Sequence, residues 1–75
     1  MNNPIETNYF NPDGSYAGKR VGDHIFSKWG DPILNVVGND LIVVGTGELV
    51  GFVDDEVVTD YFGRHVAEGR QESNP

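Results

Sequence analysis

The stretch VGNDLIVV, residues 37–44, is echoed by VGDHIF at residues 21–26 and by VDDEVV at residues 53–58. Each copy writes valine, a turn-forming pair, a polar residue and two apolar residues. The copies begin at Val21, Val37 and Val53, a step of 16 residues. Gly22-Asp23 and Gly38-Asn39 are two-residue hairpin signals, with glycine at the first central position of a type II′ turn. Asp54-Asp55 is read as the same turn in the third copy. A second kind of turn alternates with the first: NPDG (11–14), WGDP (29–32), GTGE (45–48) and FGRH (62–65). Its glycines, Gly14, Gly30, Gly47 and Gly63, are 16, 17 and 16 residues apart. In these turns Pro and Asp pre-set the bend, and Gly accepts a positive φ.

Between the turns lie short β-prone segments at 15–21, 24–28, 33–37, 40–44, 49–53, 56–61 and 64–68, with an eighth through 9–11. Ten glycines and ten valines among 75 residues disfavour helix. The expectation is an all-β chain of four consecutive antiparallel β-hairpins with a 16-residue repeat, forming a shallow propeller-like ring or small barrel. One hairpin cannot cover its own apolar face, so each must lean on its neighbours. The pairing of Val37 with Asp40 puts Val36, Leu41, Leu34 and Val43 on one almost wholly apolar face. Counting on from a turn at Asp54-Asp55 puts Val50, Phe52, Val57 and Thr59 on that face as well. The domain is expected to span residues 9–69, with a flexible segment at 1–8 and a disordered tail at 70–75.

The segments KWGDPILNVVGNDLI (28–42) and YFGRHVAEG (61–69) resemble the repeating text of the four-fold beta-flower domain, a small bacterial family. Its pattern runs aromatic–x–Gly, an apolar pair, a short turn with Asp or Asn, then an apolar pair again. The resemblance covers roughly residues 9–69. It implies four hairpins around a pseudo-four-fold axis, similar in outline to tubby-type C-terminal domains. The chain departs from that pattern at Ala67-Glu68, where glycine and an aromatic are usual, and at Gly45-Thr46-Gly47, which lacks the aromatic. The family carries no assigned catalytic residues, so none is implied here.

Composition narrows the functional classes. Twelve acidic residues against five Lys and Arg give a net charge of −7, which opposes phosphate backbones and argues against direct nucleic-acid binding. The absence of Cys excludes disulfides, thiol catalysis and cysteine-ligated metals. No signal peptide or membrane span is read in the chain, and the expected setting is cytoplasmic. A core this small without a disulfide staple leads to an expectation of homo-oligomerisation. His24 and His65 are too separated for a metal-binding spacing, and no Ser lies in a nucleophile-elbow context. The chain is therefore read as non-enzymatic and without a cofactor.

Two groups of residues stand out as candidate contacts. Trp29, Tyr61 and Phe62 precede turns of the second kind, and Trp29 and Tyr61 are taken as equivalents 32 residues apart. With Tyr16, Arg64 and His65 they form a candidate pocket or protein contact. Asp23, Asp40, Asp54 and Asp55 fall at equivalent turns and would form an acidic rim facing a basic partner. The leading expectation is a small acidic interaction module that self-associates and binds a protein. The alternatives are binding or sequestration of a small anionic, nucleotide-like ligand, as a phage-type inhibitor would do, and an acidic decoy for a nucleic-acid-binding protein.

Overall fold

Residues 6–72 are described by the computed structural model. Eight strands follow one another: β1 (Glu6–Phe10), β2 (Tyr16–Val21), β3 (His24–Ser27), β4 (Pro32–Val37), β5 (Asp40–Val43), β6 (Leu49–Asp54), β7 (Val57–Asp60) and β8 (His65–Glu72). Each pairs antiparallel with its sequence neighbours, and β1 pairs with β8, so the sheet closes into a barrel. The all-β hairpin chain expected from the repeat is a small closed barrel. Among the described residues the strands are four to eight residues long.

Strand pairing reaches beyond the expected domain limits. β1 starts at Glu6 and β8 runs to Glu72, pairing Glu6 with Glu72 and Asn8 with Arg70. Residues 6–8 and 70–72 are thus strand, while the rest of the expected flexible segment and tail lies outside the described residues.

The two kinds of turn sit at opposite ends of the barrel. Tight turns join β2–β3, β4–β5 and β6–β7, with Val21 paired to His24, Val37 to Asp40 and Asp54 to Val57. Gly22 and Gly38 have φ 61° and Asp55 has φ 56° at the first central position, the positive φ that a type II′ turn demands. The third tight turn is therefore Asp55-Glu56, one residue later than expected. Phe52 pairs with Thr59 and Val53 with Val58. Because side chains alternate along a strand, this single step changes the faces. Val53 is buried and Phe52 points outward, correcting the assignment of Phe52 to the apolar face.

Wide turns close the other end. In three of them the first residue's amide bonds to the carbonyl four residues on: Asn11 to Ser15, Ser27 to Asp31 and Asp60 to Arg64. In the remaining turn Val43 reaches Glu48, five residues on. This one added residue makes the repeat 17 rather than 16 between the second and third copies. Each wide hairpin also carries a bulge. Ala17, Ile33, Val50 and Val66 are left without a cross-strand partner, which sharpens the local bend needed to close so short a sheet.

The interior repeats four-fold with unequal side chains. Tyr9 pairs with Gly18, Ile25 with Leu34, Leu41 with Gly51 and Val58 with Ala67. Tyr9, Ile25, Val36, Leu41, Val53 and Ala67 form the buried cluster. Tyr9 is the largest and is flanked by Gly18 and Gly69, which leave its ring room. A Cβ on Gly69 would come within 2.9 Å of that ring. Among the described residues every buried side-chain nitrogen and oxygen has a hydrogen-bond partner. With no free sheet edge, the backbone of each strand is paired on both sides.

Candidate functional site

The wide-turn end gathers the aromatic residues singled out in the sequence. Trp29 is 78% exposed and Phe62 79% exposed. Each is the third residue of its wide turn, so Trp29 is equivalent to Phe62 and not to Tyr61. Alternation of the eight strands places the β3–β4 and β7–β8 turns across the barrel mouth from each other.

Polar caps hold both turns. The Asp60 carboxylate accepts the amides of Phe62 and Arg64, each at 2.9 Å, and the Arg64 Nε at 2.7 Å. These bonds, led by the Arg64 amide, hold the Asp60 carboxyl below its ordinary pKa. Ser27 Oγ accepts the amides of Trp29 at 3.2 Å and Asp31 at 3.3 Å. Two exposed aromatics are thus carried on turns whose backbones are already fixed, which lowers the entropy lost on contact.

The six candidate residues do not share one pocket; they fall into four groups. Tyr61 lies 5.6 Å from Phe62 and 6.5 Å from Phe52, ring centre to ring centre, and the Arg64 guanidinium sits 5.4 Å from the Phe62 ring. Trp29 stands apart, with Lys28 Nζ 4.7 Å from its ring centre. Tyr16 packs edge-on to Phe10 at 5.9 Å. His65 lines a groove of about 240 Å³ with Phe10, Asn11, Pro12, Glu68 and Arg70. Arg64 is ion-paired with Asp60, its Nε 2.7 Å from Oδ2. Arg70, assigned to the tail in the sequence reading, is the cation beside His65 and lies 4.9 Å from the Phe10 ring.

Inside the mouth is an apolar cavity of about 140 Å³. Its floor and walls come from Tyr9, Ile25, Leu41, Val58 and Ala67, and from Ala17 and Ile33 of two bulges. The sequence reading missed it. Gly18 and Gly51 are the signal: a Cβ on either would strike the carbonyl oxygen of Phe26 or Thr59. Their lack of a side chain leaves the interior short of filler.

The opposite end is acidic. Asp23, Asp40, Asp54 and Asp55 lie at or beside the three tight turns, together with Glu56. Arg20 crosses this end, its Nε donating to the Gly22 carbonyl at 2.7 Å and its guanidinium 3.6 Å from Asp23. Burial raises the Tyr9 hydroxyl pKa above its ordinary value, with Arg20 acting against that shift and Glu56 adding to it. Among the described residues no three His, Cys, Asp or Glu side chains gather into a cation-holding cluster. No helix among them is long and apolar enough to cross a membrane.

Comparison with protein-family models, with curated proteins and with solved structures finds no match to this chain. The resemblance to the four-fold beta-flower domain therefore rests on the repeat text alone.

Proposed function

We propose that this protein is a non-enzymatic binding module that docks a protein partner on the wide-turn end of its barrel. The observation that carries this reading is the pair Trp29 and Phe62, presented on capped turns around an apolar mouth. Aromatic side chains ringing an apolar depression are what interfaces use as anchors, and water is readily excluded from between them. The net charge of −7 favours approach by a basic partner.

Native mass spectrometry of the protein isolated from its producing cell tests the reading. The wild type is expected as a defined oligomer or with a co-purifying protein. Trp29→Ala/Phe62→Ala is expected as a folded monomer. A wild type that is a bare monomer, or a double variant that keeps its partner, would count against the proposal.

A second reading, a site for a small anionic ligand, is favoured by one observation. Arg70 and His65 face a groove floored by Phe10, which offers cationic contact and a stacking surface together. Glu68 lines the same groove and opposes an anion. Saturable shifts of the His65 ring signals with adenosine monophosphate, lost in Arg70→Ala, would support it; unmoved signals would end it.

A further inference from the structure

We infer that the barrel mouth is a socket for one apolar side chain, aromatic or branched, projecting from a basic surface of the partner protein. This deepens the binding-module reading and rests on it.

Three observations fix the occupant. The cavity of about 140 Å³ is close to the size at which a dry apolar cavity takes up a single benzene-like group. It is too small for a peptide backbone or a drug-sized ligand. Its lining holds no charged residue, so an ionised head inside it would be stranded without a counter-charge. Around it each wide turn supplies one acid, Asp13, Asp31, Glu48 and Asp60, against two cations, Lys28 and Arg64, of which Arg64 is paired with Asp60. Asp31 and Glu48 are exposed and have no ion-pair partner among the described residues. An apolar anchor flanked by lysine or arginine satisfies the socket and the rim together, whereas an acidic flank would meet like charge in a chain of net charge −7.

The unevenness of the walls adds direction. At the bulges the four copies carry Ala17-Gly18, Ile33-Leu34, Val50-Gly51 and Val66-Ala67. The Ala17-Gly18 wall is the lowest and lines the cavity directly, so the anchor leans toward β2. Filling that wall blocks the socket without touching Trp29, Phe62 or their caps.

Trp29 is the sole tryptophan and lies on the rim, so its fluorescence reports covering of the mouth. The peptides Lys-Lys-Phe-Lys-Lys, Lys-Lys-Ala-Lys-Lys and Asp-Asp-Phe-Asp-Asp, all capped at both ends, are titrated into the full chain. The phenylalanine–lysine peptide is expected to shift Trp29 emission to shorter wavelength and to bind about tenfold or more tightly than the alanine peptide. The acidic peptide is expected to leave the emission unchanged. Ala17→Phe, with its fold verified by circular dichroism, is expected to erase the preference for phenylalanine over alanine. Equal binding of the two basic peptides overturns the inference whether or not Ala17→Phe folds. Uptake of free benzene with no peptide preference also overturns it, as does a wild-type homodimer that Ala17→Phe dissolves, because the occupant is then a second copy. If the peptides fail while Trp29→Ala/Phe62→Ala still strips a partner in native mass spectrometry, the socket falls and the binding-module reading stands.

Discussion

Asp55 holds a φ of 56° where Gly22 and Gly38 hold 61°. A side chain in that conformation meets its own backbone, at a cost of about 1 kcal/mol. Asp55→Gly is therefore expected to raise the unfolding free energy by roughly 0.5–1 kcal/mol, measured by urea denaturation, with the gain trimmed by the freer unfolded chain. The interior gives the opposite sign. Leu41 is 2% exposed, and Leu41→Ala is expected to cost about 2–5 kcal/mol. Gly18 is a subtler case: a methyl group there meets the fixed Phe26 carbonyl, so Gly18→Ala is expected to destabilise by about 1–3 kcal/mol although it adds apolar volume. Residue type alone made Gly22 and Gly38 legible as turn glycines. Gly18 and Gly51 were not legible, because the carbonyls that exclude their side chains belong to neighbouring strands.

At the scale of elements, the wide turns differ by one residue with a large consequence. Aligning the copies on their valines gives a constant step of 16, yet the turns align on the positive-φ positions 22, 38 and 55. Thr46 lengthens the β5–β6 turn, and every side chain of the third hairpin then changes face relative to the valine alignment. The glycines Gly30 and Gly47, 17 apart, already carried that information in the sequence. The exchange of Trp29's counterpart from Tyr61 to Phe62 has the same origin. Deleting Thr46 is expected to give a five-residue turn like the other three and to leave stability within about 1 kcal/mol, as judged by urea midpoints; loss of cooperative unfolding would contradict this. The β7–β8 turn has its own pH signature. Because the Asp60 pKa is lowered in the fold, its contribution is present above the ordinary carboxylate value of 3.8 and is lost as pH falls through the lowered one. The amide signals of Phe62 and Arg64 should follow a single titration with its midpoint below that value, and Asp60→Asn should remove it.

The molecule as a whole has two unlike ends: a mouth rimmed by aromatic residues and an acidic base where Arg20 bonds to its own tight turn. Burial raises the Tyr9 pKa, so the folded state resists losing that proton while the unfolded chain releases it near pH 10. Stability is thus intact below about pH 10 and falls as pH rises toward the folded value. Tyr9→Phe is expected to flatten that alkaline loss in a pH series of thermal melts. The division into ends was legible from the alternation of two turn types and from the acids at the tight ones. The open socket was not, since it depends on which interior positions lack bulk once eight strands have closed. Closure itself joins Glu6 to Glu72, and the two ends of the described chain emerge side by side on the acidic face. A fusion or surface tether attached at either end therefore presents the mouth outward. The same adjacency allows a circular permutant, with the old ends linked and new ones cut between Gly38 and Asn39, to keep every strand pairing while moving its termini to the β4–β5 turn.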